Sequence, residues 1–232
     1  MVRVLGISGS PRGELSRTLR LVNAVMRGAG DAGADCEVVD VCGLAIDFCI
    51  GCGVCYEAGE CIHADDFQNL FDRMMAADGI VLGSPVYINA VSAQMKVVLD
   101  RMADAIHCQR FLGKYGCSVS TAGGSFADEV VEYQNSILRI LGATTVGGVG
   151  VVLGPDPSLL IPAEKQAYEL GTRLVTAIRN QEHYPDQDLF HAGMKERMQA
   201  LVSHNKDIWS HEYQYWREKG WLYGAGNRQQ DS

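Results

Sequence analysis

Apolar positions along the chain alternate between two patterns. Short continuous runs rich in β-branched residues occupy 2–7, 36–41, 79–83, 116–120 and 144–153, and predict five buried strands. Between them, apolar residues recur three and four apart. Leu19, Val22, Val25 and Met26 mark a helix over 15–32. Phe67, Leu70, Phe71 and Met74 mark one over 66–76, and Met95, Val98, Leu99 and Met102 one over 91–106. Helices over 127–141 and 162–180 complete the series. Strands that are apolar throughout suit a parallel sheet covered on both faces. Right-handed crossovers then wind the chain into a doubly wound α/β domain over 1–180. In such a sheet every strand-to-helix loop leaves at the carboxyl edge, so the loops that begin near Ser8, Cys42, Ser84 and Thr121 share one rim.

Beyond residue 180 the pattern changes. The polar stretch 181–188, with Pro185, reads as a connector. Residues 191–220 read as a helical extension carrying Trp209, Tyr213, Tyr215 and Trp216, followed by Trp221. This aromatic stripe beyond a complete domain predicts a covered face, at a subunit contact or at the rim. Residues 224–232 are expected to fray.

Composition narrows the setting. A chain of 232 residues, 47% hydrophobic and 21% charged, suits one sizeable core. A net charge of −8 argues against nucleic acid or an anionic membrane as the main partner. No apolar run approaches the roughly 20 residues of a membrane span. The first residues, Met1-Val-Arg-Val-Leu-Gly-Ile-Ser8, lack the pattern of a secretory signal, so a cytoplasmic location is expected. Thiols stay reduced there, and clustered cysteines then suggest metal or redox chemistry rather than disulfides.

The cluster is Cys49-Ile-Gly-Cys52-Gly-Val-Cys55-Tyr-Glu-Ala-Gly-Glu-Cys61, spaced C-x2-C-x2-C-x5-C. Thiolates at this spacing can wrap the corners of an iron–sulfur cubane, and Gly51, Gly53 and Gly59 let the loop curl. Structural zinc usually takes its ligands from two separated knuckles, which fits a single short loop less well. A loop without metal is the remaining alternative. His63 lies nearby and reads as a surface residue. Cys36, Cys42, Cys108 and Cys117 read as packing residues in or beside core elements.

The loop Ser8-Gly-Ser10-Pro-Arg12-Gly-Glu-Leu-Ser16-Arg-Thr18 leads from the first strand into a helix. Hydroxyls, an arginine and amides at a helix start make an anion site, although neither G-x-x-x-x-G-K-[ST] nor G-x-G-x-x-G is present. The plainer reading is a set of capping hydroxyls. Ser84-Pro-Val-Tyr-Ile-Asn89 carries Tyr87 and Asn89 in what reads as an extended segment able to meet a flat ring. In Thr121-Ala-Gly-Gly124 the glycines allow close backbone approach.

Taken in order, G-S-P-R with S-x-T, S-P-V-Y with S-A-Q-M-K and D-R, and T-A-G-G resemble the NADPH-dependent FMN reductase branch of flavodoxin-like proteins. With the cysteine loop added, the set resembles the iron–sulfur flavoprotein family over roughly 2–180. The resemblance implies that Ser10, Arg12, Ser16 and Thr18 hold an FMN phosphate, with Ser8 and Leu19 beside them. It implies that Pro85, Val86, Tyr87 and Asn89 line the isoalloxazine, and that Thr121, Ala122, Gly123 and Gly124 close its other side. It implies a [4Fe–4S] cluster on Cys49, Cys52, Cys55 and Cys61, and a homodimer or homotetramer. No hydrolytic motif competes with this reading. The expected function is an FMN-dependent oxidoreductase moving electrons between a reduced donor, with NAD(P)H a candidate, and a small acceptor or a redox protein such as ferredoxin. Two alternatives are an NAD(P)H-dependent FMN or quinone reductase without a cluster, and a non-enzymatic carrier or sensor.

Overall fold

The computed structural model describes residues 1–222; the expectation for 224–232 lies outside them. Strands β1 (Arg3–Ser8), β2 (Asp35–Asp40), β3 (Gly79–Pro85), β4 (Tyr115–Ala122) and β5 (Thr144–Val152) form one sheet in the order β2-β1-β3-β4-β5. All four pairings are parallel. This is the strand order of a flavodoxin-type sheet, with its topological switch between β1 and β3.

Two layers of helix cover the sheet. On one face lie α1 (Arg17–Asp31) and α7 (Leu160–Asn180), whose Leu21, Val22, Val25 and Leu174 pack against Val81, Cys117 and Val119. On the other lie α3 (Phe67–Ala76), α4 (Ala93–Asp100) and α6 (Ala127–Ile140), where Leu70, Met74, Met95 and Leu138 meet Ile7, Ile80 and Leu82. Helices α1 and α7 cross without side chains between them. A Cβ on Gly28 would lie 1.9 Å from the Tyr168 carbonyl oxygen, and one on Gly171 would lie 1.9 Å from that of Val25. The two glycines let the backbones touch in the C-terminal half of α1.

Four expectations are corrected. The helix expected over 91–106 breaks after Asp100, and a separate short helix α5 (Ala103–His107) follows. The break falls at Arg101, whose side chain is buried and bonded to loop backbone instead of lying along a helix face. The expected connector is shorter than 181–188, because α8 (Pro185–His204) starts at Pro185. Proline has no N–H to lose and a preset φ at the first helical position. A second break at 205–209 separates α8 from α9 (Ser210–Glu218). Cys42 is exposed rather than packed, because it lies in a single turn at 41–43 beyond the end of β2. Cys108 and Cys117 are buried and Cys36 is half-buried, as packing residues should be.

Among the described residues no helix is long and apolar enough to cross a membrane. If the α1–α7 contact is as tight as described, Gly171→Ala must push the two helices apart. Overpacking of this kind costs about 1–3 kcal/mol. The urea midpoint should fall accordingly, with the slope of the transition unchanged.

Candidate functional site

A cleft of about 170 Å³ opens at the carboxyl edge between the β1, β3 and β4 loops. Its walls include Ser10, Arg12, Ser16, Arg17, Thr18, Pro85, Val86, Tyr87, Thr121, Ala122, Gly123 and Leu153. Ser16 caps α1, its Oγ accepting from the Leu19 amide at 2.9 Å. The Arg17 and Thr18 amides ahead of it have no acceptor among the described residues, as the first turn of a helix requires. The hydroxyls of Thr18 and Thr121 meet at 2.7 Å and join the first wall to the third. The arginine ion pairs among the described residues use other side chains, which leaves Arg12 and Arg17 exposed at the mouth. Buried hydroxyls, free amides and two exposed guanidinium groups suit a bound phosphate.

Four expected residues stand outside these walls. Ser8 still belongs to β1, and its hydroxyl is buried without a partner. Leu19 contributes only the amide that Ser16 caps. The segment that carries Asn89 is a tight turn instead of an extended run. Tyr87 and Ala90 exchange both backbone hydrogen bonds, and Ile88 and Asn89 adopt φ values of 48° and 60°. A β-branched residue is rare in that region, and the turn leaves Ile88 96% exposed while Tyr87 stays on the cleft. Gly124 lies past the wall, whereas Arg17 and Leu153 belong to it and carried no motif of their own.

The second feature is the cysteine loop. Cys49, Cys52, Cys55 and Cys61 line one small cavity together with His63, Asp100 and Arg101. Gly51, Gly53 and Gly59 take φ of 66°, 76° and 79°, and the last two bracket the single-turn helix α2 (Val54–Ala58). Glycine carries no penalty there. Backbone and carboxylate bonds close the neck of the loop. The Ala45 amide donates to Asp66 Oδ2 at 2.7 Å, and the Asp66 amide donates back to the Ala45 carbonyl. The Asp47 amide donates to Asp65 Oδ2 at 2.8 Å, and the Phe67 amide to Asp65 Oδ1. Arg101 completes the neck by donating to Asp65 and to the Asp47 carbonyl.

Four thiols on one short loop are a donor set that iron–sulfur clusters use and that structural zinc also uses. Burial, with the charges of Asp104, Cys61 and Glu212 behind it, pushes the Cys55 thiol up to about 11. A metal at this site would therefore displace a proton from Cys55.

One ring of the aromatic stripe, Trp209, packs against this loop. The Tyr56 ring lies 4.8 Å from His107 and 4.9 Å from Trp209, and His107 and Trp209 stack. Ser210 Oγ donates to the Glu57 carbonyl at 3.0 Å. Trp216 is fully buried and donates its Nε1–H to the His107 carbonyl. His107 also bonds the buried Glu212 at 3.0 Å. Burial raises the Glu212 carboxyl, and the bond and charge of His107 oppose that rise. Trp209, Ser210, Glu212 and Trp216 thus tie α9 and its start to α2 and α5 of the same chain. Asp104, Cys108 and His211 also gather within 4.8 Å of one another. A guanidinium already stands there, since Arg110 Nη2 lies 3.1 Å from His211 and 3.5 Å from Asp104. Its positive charge disfavours a cation.

Comparison with known proteins places this geometry. The family described as NADPH-dependent FMN reductase matches residues 2–157. An iron–sulfur flavoprotein of Archaeoglobus fulgidus is 31% identical over 229 residues, covering 95% of this chain and 100% of that protein. Another from Methanocaldococcus jannaschii is 43% identical over 100 residues, which are 43% of this chain and 51% of that one. Among solved structures, a flavodoxin from the domain Archaea superposes with a TM-score of 0.53 at 16% identity, over 77% of this chain and 99% of that chain. That likeness supports the fold.

Two outcomes follow from the loop's anchors. Trp209→Ala removes the ring that stacks on His107 and packs against Tyr56 at a tilt. The Gly59 amide, which donates to the Cys55 carbonyl, should exchange with solvent about tenfold faster for a loss of roughly 1.4 kcal/mol, while amides of the sheet keep their rates. The second concerns acid. Burial favours the neutral form of Asp65, but bonds from Arg101 and two amides hold its carboxyl down at about 2. A lowered carboxyl contributes stability that is full above the ordinary aspartate range, near pH 4, and lost as pH falls through about 2. The melting temperature of Asp65→Asn should be lower at neutral pH and decline less steeply between pH 4 and 2 than that of the unaltered chain.

Proposed function

The chain belongs to the NADPH-dependent FMN reductase family and to the iron–sulfur flavoproteins, and from that membership we propose that it carries FMN in the cleft and one [4Fe–4S] cluster in the cysteine cavity. It is a flavin-dependent oxidoreductase; the proposal adds electron exchange between the two groups, from a reduced donor to a small acceptor. The observation that carries it is the gathering of all four loop cysteines around one cavity, on a loop that leaves the same edge of the sheet as the phosphate cleft. Bound FMN supplies chemistry in one-electron or two-electron steps and a cluster in one-electron steps, so together they link hydride-type donors to single-electron carriers.

The chain's own groups have separate tasks. The hydroxyls of Ser10, Ser16 and Thr18, the Arg17 and Thr18 amides and the Arg12 guanidinium bind the phosphate. Thr121, Ala122 and Gly123 form one wall for the ring, and Pro85, Val86 and Tyr87 the other. The four thiols give up protons to hold iron. The neck bonds and α9 keep them gathered before iron arrives.

Anaerobic purification with iron, sulfide and flavin assays tests both groups. Arg12→Ala combined with Thr18→Ala should weaken FMN retention, since hydrogen bonds to a charged group contribute roughly 1.5–3 kcal/mol each. Stoichiometric flavin in that variant after extensive dialysis would refute the phosphate assignment. Cys55→Ser should lose iron and one-electron acceptor activity while keeping flavin. Wild-type protein that holds FMN but takes up no iron or sulfide on reconstitution would make the plain flavin reductase the better reading.

A further inference from the structure

Arg101 is the full positive charge at the wall of the cysteine cavity, and the flavin reading gives it no role. Its side chain is 1% exposed. Two of its nitrogens are committed. Nη1 donates to the Asp47 carbonyl at 2.9 Å and to Asp65 Oδ2 at 2.7 Å, and Nη2 donates to Asp65 Oδ1 at 3.2 Å. The guanidinium lies over the Phe67 ring, 4.7 Å from its centroid. The third nitrogen, Nε, is buried and has no hydrogen-bond partner. The Cys61 sulfur is close enough to act on the charge of the guanidinium.

We propose that Arg101, held in place by Asp65, is a positioning residue that sets how readily the cysteine cavity accepts an electron. This rests on the reading of that cavity as a cluster site. Reduction of a cluster held there, by an electron from the reduced flavin, would add one negative charge to the cavity. A buried cation beside one ligand sulfur favours the more negative state, and the low local dielectric makes the attraction larger than it would be in water. Charge and hydrogen bonding around the sulfurs are general levers on cluster potential. Asp65 offsets part of that charge, so the two partners should act with opposite signs.

The other charges facing the loop do not replace Arg101. Asp100 pairs with Lys96. Asp104 and Glu212 bring negative charge toward Cys55, which disfavours an added electron. Arg110 is engaged by Asp104, by His211 and by the Tyr215 ring. His63 lines the cavity, with Nδ1 3.5 Å from Asp47 Oδ2.

The test compares wild type, Arg101→Gln, Arg101→Lys and Asp65→Asn after anaerobic reconstitution. Iron, sulfide and flavin are quantified, and the cluster midpoint potential is read by a titration followed by electron paramagnetic resonance. Arg101→Gln should lower the reduction equilibrium constant about tenfold, a shift of roughly 59 mV downward. Arg101→Lys keeps the charge and should stay near wild type. Asp65→Asn should shift the potential upward. A role confined to holding the loop would not produce opposite shifts.

Potentials that stay unchanged in Arg101→Gln and Asp65→Asn, or move in the same direction, overturn the proposal. If Arg101→Gln takes up no iron, the direction of the Asp65→Asn shift decides. Loss of iron from both variants with flavin retained also overturns it and leaves Arg101 as a tie across the neck. Absence of iron from the wild type is a different failure, because it removes the cluster reading itself.

Discussion

All five strands run in the same direction, so every loop that follows a strand must leave the sheet at one edge. Everything functional in this chain depends on that constraint. Four segments far apart in sequence, beginning at Ser8, Cys42, Ser84 and Thr121, arrive at one rim. The reversal of strand order between β1 and β3 opens a crevice there. The helix that starts in the crevice is α1, and its first amides are free because no helix can satisfy them internally. Gly28 and Gly171 let the far half of α1 sit on α7, and the Thr18–Thr121 hydroxyl contact ties the first turn of α1 to the β4 loop.

The cysteine loop poses a different problem. It has little regular structure, yet its four cysteines line one cavity. Two devices solve this, and neither is part of the sheet. The first is the neck, where Asp65, Asp66 and Arg101 pin residues 45–47 to 65–67. The second is α9, whose Trp209 and Ser210 grip Tyr56 and Glu57 on α2. Apolar groups in place of a buried ion pair such as Arg101–Asp65 need cost little stability, but losing one partner leaves an isolated buried charge. The pair also joins three segments at one point.

The fold and the positions of the two rim loops were legible because they rest on local signals. Strand-like runs, helical spacing and the cysteine interval each lie within a window of a few residues to a couple of dozen. The misplacements share a cause. Residues 91–106 keep helical spacing through Met102, yet the helix breaks at Arg101 because its guanidinium is drawn to Asp47 and Asp65. Asn89 looked like part of an extended run, yet two backbone bonds between Tyr87 and Ala90 fold it into a turn. The aromatic stripe did announce a covered face, but its spacing could not say that Tyr56 and His107 are what cover it.

The sequence by itself determined the strands, the parallel sheet, the rim loops and the four sulfurs, because period and spacing act between near neighbours along the chain. The tertiary structure alone decided which charge stands at the sulfurs and which helix holds their loop. Arg101 meets Asp65 across 36 positions, His107 meets Glu212 across 105, and Ser210 reaches Glu57 across 153. Such pairings have no period, and they form only once the packed sheet has brought the segments together.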